Sequence, residues 1–534
     1  MRSSRFPRRF QGGWTVGCLL AVAAAGSWIV LDGRTRSLAA NTLLLVGATF
    51  AVSLPLGTTL GWLLARTDLP GRKTALVLLG AVLFVPVYLQ AAAWQAGFGV
   101  QGWYTLVSHS EAWLAGWTGA AWVHAMAAVP WVVLIVGAGL RLAEPELEEQ
   151  ALLDARGAQV FRHVTLKAAL GAVAVAALWV AILTAGEIAV TDLFVVRTYA
   201  EEIYREMTIG PSLIESQPVY DAPLRLLPGL VLTAWLVAVG WALIAKLVPR
   251  DRPMSLRRQR VFSLGVWRVP LTVAVALALL LLVGVPLGNL CYKAGVIVTQ
   301  TDAGRLRSWS LWKWVEIVAS SPIRYRREFG WSLGIGTAAA FAVAVAAVPM
   351  AWIARRGGCW SQAVLLAAAV ALALPGPVIG LAVIWLLNRP GLGPLVYLYD
   401  QSILAPWVAL WIRGLAPAVL IMWHAFGSVP PEILDAASVD GAGPLARLFR
   451  IALPMRPAAA ALAWLVALAI ALGDLAASIL VVPPGVSTLS IRIFGLLHYG
   501  VEDRVAGICL AQVVLFAVIA TVVLRFLRRF DAKV

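Results

Sequence analysis

Charge is what this chain has least of: only 13% of its 534 residues are Asp, Glu, Lys or Arg, and the acidic ones number 27 against 43 basic. A soluble domain of this length needs far more charge to cover its surface, so a water-exposed globular fold is excluded. Cysteine is scarce as well. Cys18, Cys291, Cys359 and Cys509 show no paired spacing, which argues against zinc and dithiol redox motifs and leaves them as packing residues. No Gly-rich phosphate loop ending in Gly-Lys-Ser/Thr occurs, so ATP has no such site here. The chain also lacks a recognisable nucleophile and base set or a metal-ligand cluster, and no catalytic, metal or cofactor site of its own is expected.

What the chain has in abundance is apolar sequence: 61% of residues are hydrophobic and the mean hydropathy is +0.84. A bilayer core of roughly 30 Å needs about 20 apolar residues per helix. Runs of about that length are Trp14 to Leu31, Ala39 to Ala65, Thr74 to Gly97, Gly119 to Leu140, Ala168 to Val190 and Leu226 to Ala245. After a basic stretch from Lys246 to Arg268 come Val269 to Leu290, Trp331 to Ala354, Gln362 to Leu387, Ile403 to Ala425, Ala458 to Val482 and Ala506 to Leu524. The expectation is an all-α integral membrane protein of about twelve spans. The first run follows Arg2, Arg5, Arg8 and Arg9 and leads into another span, as an uncleaved first helix does. The 24 Trp fit headgroup anchoring and helix packing.

The formal charge of +16 caps apolar runs instead of lining a groove with aromatics, so the lipid bilayer, not nucleic acid, is the expected partner. With the first helix running outward, inside segments hold 27 Lys and Arg and outside segments 15. The positive-inside rule then puts both termini in the cytoplasm.

The two sets of spans overlay. Pro130 with Pro417, Gly186 with Gly473 and Glu187 with Asp474 are each separated by 287 positions, while Trp62 with Trp352 and Arg66 with Arg356 are separated by 290. This pattern implies a first repeat over 1–250, a basic cytoplasmic linker over 251–268 and a second repeat over 269–534. Each repeat has six spans, so both keep one orientation and are expected to pack about a pseudo-twofold axis along the membrane normal, with a path at their interface.

Between the tenth and eleventh runs lies Pro430-Pro431-Glu432-Ile433-Leu434-Asp435-Ala436-Ala437-Ser438-Val439-Asp440-Gly441, then Ile451-Ala452-Leu453-Pro454. The prolines can start a short helix, the acid favours its N-terminal end, the alanines permit close approach and Gly441 lets the chain turn. Asp435, Ala436 and Ala437, Gly441 four positions on, and Ile451, Leu453 and Pro454 after nine more residues match a known pattern. It resembles the cytoplasmic coupling loop of binding-protein-dependent type I ABC importer permeases, with Asp in place of the usual Glu. In that family the loop helix lies in a groove of the ATPase subunit and transmits its closure to the spans. The resemblance implies two copies of a cytoplasmic ATP-binding-cassette ATPase, which bind the ATP and Mg, and an external or periplasmic solute-binding protein. It also implies residence in a bacterial inner membrane. The fused, double-length form most resembles ferric-iron permeases, with thiamine, polyamine and other small-solute importers as alternatives.

The first half carries a weaker copy, Glu144-Pro145-Glu146-Leu147-Glu148-Glu149-Gln150-Ala151-Leu152-Leu153-Asp154-Ala155. At a separation of 287, Glu148 faces Asp435. Shifting by one sets Glu149-Gln150-Ala151 against the motif and Ala155 at the glycine. Neither register is complete, and Lys167 stands where the second half has Pro454.

Glu187 and Asp474 are carboxylates inside apolar runs, which is costly unless each meets water or a partner. Two readings stand: both face a translocation path and attract a cation, or each hydrogen-bonds a helix or half-helix end. Arg413, opposite Met126 of the first half, is a candidate partner for Asp474 or a path residue. The intramembrane acids also leave a secondary, ion-coupled transporter as the rival class.

Overall fold

The computed structural model describes residues 33–140, 145–155, 157–209, 240, 261–301, 304–389, 391–499 and 502–531. The expected spans at 14–31 and 226–245 lie outside the described residues. The other ten apolar runs each fall on helix. Among the described residues five helices are long and apolar enough to cross a membrane, and eight if each bent pair counts as one span. The protein is therefore a helical, multi-pass membrane protein.

The chain packs as two compact units, and these do not follow the sequence halves. Among the described residues one comprises residues up to 83, 93–202 and 261–289; the other comprises 84–92, 203–209 and residues from 290 on. Polar contacts accompany two of the three exchanges, those of 84–92 and of the seventh run. Asn289, at the far end of the seventh run, donates from Nδ2 to Ala93 O at 3.1 Å and accepts from Trp103 Nε1 at 3.0 Å, which ties that span to the first unit. Tyr88 belongs to the second unit, where its hydroxyl accepts from Gln512 Nε2 at 3.0 Å.

Along the first unit the order is α1 (Gly33–Arg66), α2 (Arg72–Val82), the part of α3 (Val87–Phe98) from Ala93 on, α4 (Gly116–Leu140), a short α5 (Pro145–Asp154), α6 (Leu166–Ala185) and the helical span α7 (Gly265–Gly295) as far as Asn289. Small residues let α1 meet α4 closely: a Cβ on Gly57 would lie 2.5 Å from Val132 Cβ, and one on Gly61 would lie 3.0 Å from Val133 O. This Gly-x-x-x-Gly step is a device of membrane helices, which have no hydrophobic effect to drive them together. α4 is 78% buried over its apolar window and α7 only 11%, so α7 turns most of its apolar surface to lipid.

The second unit begins with a two-stranded antiparallel hairpin, β1 (Val296–Thr301) and β2 (Gly304–Trp309), where sequence suggests only an interhelical loop. There follow α8 (Leu311–Arg324), α9 (Arg326–Arg355), α10 (Cys359–Ala373), α11 (Gly376–Leu387), α12 (Leu404–Gly427), a short α13 (Pro431–Val439), α14 (Pro457–Gly473), α15 (Leu489–His498) and α16 (Glu502–Asp531). Its core sits where α9, α12 and α14 converge through Ala340, Val343, Ala347, Ala418, Val419, Met422, Ala463 and Ala467.

In both sequence halves the third apolar run is broken. The chain turns by 101° between α2 and the helical stretch Val87–Ser108, and by 109° between α10 and α11. Pro86 and Pro375 immediately precede α3 and α11; proline disfavours α-helix in the residue before it and cannot donate to the preceding turn.

Candidate functional site

The short helix α13 has the local structure its sequence leads one to expect. Pro431 opens it, where proline's missing N–H costs nothing. Gly441 closes it at φ 85°, with its N–H on Ser438 O at 3.1 Å and the N–H of Ala442 on Ala437 O at 2.9 Å. Leu434 is buried in the core of the second unit and holds the helix down. Arg355, at the end of α9, steadies the connector to α12 by donating to Phe426 O at 2.8 Å and Val429 O at 3.3 Å, and Arg456 adds a bond to Ser428 O at 2.7 Å. Asp435, Ala436 and Gly441 are exposed and Ala437 is half-buried.

α5 is anchored differently. Glu148 is fully buried and forms an ion pair with Arg66, also fully buried, at the end of α1. Thr165 Oγ1 donates to Glu148 Oε1 at 2.7 Å, and Arg66 Nη1 donates to Leu140 O at 2.9 Å. The Arg66 guanidinium also stands 5.8 Å from the Phe262 ring centroid, and Phe262 is itself held by its N–H on Arg66 O at 2.8 Å. One buried cation thus joins the end of α1, the end of α4, the short helix and the segment leading into α7.

Burial selects between the two registers that sequence leaves open. Leu147 is 44% exposed and Ile433 41%; Glu148 is 0% exposed and Leu434 4%; Leu153 is 85% exposed and Val439 86%. All three pairs are separated by 286 positions. In that register Glu149 stands with Asp435, both exposed, Ala151 with Ala437, both half-buried, and Ala155 with Gly441. Glu148 is therefore the counterpart of Leu434, not of Asp435, and presents no surface to a partner. The separation returns to 287 at Gly186 and Gly473, and the extra residue lies in the π turns between: Phe161–Thr165 has five residues and Arg447–Ala452 six. A π turn is the form a one-residue insertion takes in a helix.

Beyond these turns the two stretches differ. Ile451 and Leu453 are half-buried and Pro454 is exposed, and the chain bends by 88° between Pro444–Ala452 and Pro457–Gly473. In the first unit Lys167 replaces the proline, and α6 follows its π turn without interruption.

At the far ends of α6 and α14, Glu187 and Asp474 do the same local work. Glu187 accepts the N–H of Ala189 at Oε1 and of Val190 at Oε2, each at 2.8 Å. Asp474 Oδ2 accepts the N–H groups of Ala477 and Ser478 at 3.1 and 3.0 Å, and Oδ1 accepts Arg413 Nε at 3.3 Å. Both acids satisfy backbone donors that the break after the glycine leaves without a helical carbonyl. This geometry favours the hydrogen-bonding reading over cation attraction. Arg413 also reaches Leu374 O at 3.5 Å, at the α10–α11 break, and so links two breaks of the second unit. Met126, its first-half counterpart, is buried.

Arg66, Thr165 and Arg355 escape a motif-based reading. The available signal is a basic residue at the end of a long apolar run in both halves, but Arg66 aligns with Arg356 at 290 while the carbonyl-binding residue is Arg355. No protein family's model matches the chain, and no curated protein matches it either. The geometry itself establishes a multi-pass helical membrane protein with two short, differently anchored helices that share one pattern of exposure.

Proposed function

We propose that this chain is the fused, double-length permease of a bacterial, binding-protein-dependent ATP-binding-cassette importer. It has twelve spans in two homologous six-span halves, and both termini lie in the cytoplasm of an inner-membrane-embedded protein. The observation that carries the reading is the agreement of α5 and α13 in position, length, burial and exposed side chains. Each follows a proline-containing span and precedes a π turn and a helix that ends at a Gly-acid step. The bend in the third apolar run of each sequence half supports the duplication as well.

In this reading two cytoplasmic ATPase subunits, which bind ATP and Mg, receive α5 and α13. An external binding protein delivers the solute, and ATPase closure, acting on the short helices, switches access through the membrane. Exposed Glu149, Asp435, Ala436 and Gly441 face the ATPase, and Glu148 acts from behind as a positioning residue. Ferric iron is the proposed cargo, on the resemblance of the double-length form alone. The capping of Glu187 and Asp474 supports the ATP-driven class over an ion-coupled one, because their oxygens already hold N–H donors.

The test is capture of an ATPase subunit by the purified full chain in nanodiscs, comparing wild type with Asp435→Lys and Gly441→Asp. Capture by wild type and loss in both variants, with unchanged gel-filtration profiles, is expected. Undiminished capture by the variants would remove α13 as the docking element.

A further inference from the structure

We propose that the cleft between α8 and the first turn of α16 is a binding site for the phosphate headgroup of an anionic phospholipid. The cleft encloses about 220 Å³, and its charged lining is Lys313, Glu316, Arg324, Asp503 and Arg504. Lys313 is already engaged, with Nζ 3.2 Å from Asp503 Oδ2 and 2.6 Å from Val296 O. That leaves Arg324 and Arg504 with Glu316 on the lining of one small cleft, a net positive charge, and neither arginine has an ion-pair partner among the described residues. Two arginines on the lining of one small cleft supply the paired N–H donors that the oxygens of a phosphate accept. Ser320 and Tyr325 add hydroxyl groups to the same lining.

The remainder of α8 argues that the phosphate arrives on a lipid. Leu311, Trp312, Val315 and Ile323 are all exposed, and on a helix they fall within one stripe, away from the polar strip of Lys313, Ser320 and Arg324. Water would not tolerate that stripe beside the exposed Trp309 of the hairpin. Acyl chains would, with the tryptophans at headgroup depth. Location agrees. α9 runs from Arg326, next to the cleft, to Arg355, which bonds the connector leading into α13, and its 30 residues span about 45 Å at the rise of an α-helix. The cleft therefore sits at the opposite membrane surface from α13, where exposed Arg326 and Arg327 add positive charge. The site depends on the membrane character of the chain and not on the transport reading.

The test is lipid retention by the purified full chain after exchange into vesicles of phosphatidylcholine with or without phosphatidylglycerol, read by native mass spectrometry. Wild type is expected to retain phosphatidylglycerol through detergent washing. Arg324→Ala/Arg504→Ala is expected to lower retention about 30-fold, roughly fivefold for each of two interfacial cations. Arg324→Lys/Arg504→Lys guards against misfolding: it keeps the charge and is expected to retain more lipid than the alanine pair. Arg389→Ala is the control, since Arg389 stacks on Trp385 outside the cleft, 3.2 Å from the ring centroid. Equal retention by wild type and the alanine pair would overturn the proposal, as would an equal loss in Arg389→Ala. Inorganic phosphate separates the two sources of the anion. Raising the thermal midpoint of lipid-free protein as much as phosphatidylglycerol does would make the ligand a free anion and overturn the lipid assignment.

Discussion

Breaking the Arg66–Glu148 pair should be among the most damaging single changes in the first unit. Both side chains are fully buried, so removing one takes from the other the opposite charge it is paired with, a loss of about 3–5 kcal/mol. Glu148→Leu installs the residue type found at the matching position 434, yet removes the carboxylate paired with Arg66. Arg66→Met strands Glu148 with only Thr165 to donate to it. The double variant Arg66→Met/Glu148→Leu removes both charges together, and buried pairs exchanged for apolar residues of similar size are often close to neutral. The assay is a double-mutant cycle on thermal unfolding of the full chain in detergent micelles, followed by loss of the monodisperse peak. If the first unit unfolds cooperatively, the single variants should lose about 6–20 °C, taking roughly 2–4 °C per kcal/mol for a unit of some 250 residues. The double variant should recover most of that. Additive losses, or a Glu148→Leu variant as stable as wild type, would refute the assignment of the pair as the anchor of α5.

Three further outcomes follow from the geometry. Gly441→Ala meets nothing within 4 Å but holds an L residue at φ 85°. It should cost about 1–2 kcal/mol locally and speed amide hydrogen exchange at Ala442 without altering the global midpoint by more than that. Glu187→Gln replaces one of two accepting oxygens with a donor, so stability should fall by about 1–3 kcal/mol with no separate loss of cargo binding. A loss of cargo affinity at unchanged stability would put the carboxylate in the path. Gly57→Ala drives a Cβ to within 2.5 Å of Val132 Cβ and should cost about 1–3 kcal/mol in thermal unfolding; Val132→Ala in the same chain should restore part of it.

Much of the span arrangement is legible in the sequence because hydropathy reports which segments lipid will accept. It does not report direction. Thr74 to Gly97 and Gln362 to Leu387 look like straight spans by length, but Pro86 and Pro375 turn each through about a right angle. Compact packing is less legible still, since a single buried amide such as Asn289 decides which unit a span joins. In the candidate site, the Pro start and Gly stop of α13 follow from local chemistry and hold. The first-half register does not follow, because aligning acid with acid favours Glu148 opposite Asp435, whereas burial aligns Glu148 with Leu434. A glutamate can occupy a core position when an arginine one helix away neutralises it, and no local pattern announces that arginine. Glu187 and Asp474 draw attention as charges in apolar runs, while their capping partners become identifiable only once the break after the glycine is in view.

The most direct measurement of the central claim is photo-crosslinking in the native cell from a photoreactive residue at position 153 or 439, with adducts identified by mass spectrometry. These are the matched, outward-facing positions of α5 and α13. The importer reading requires both to yield the same adduct, an ATP-binding-cassette ATPase subunit. Adducts only with lipid or with unrelated proteins at both positions would contradict it.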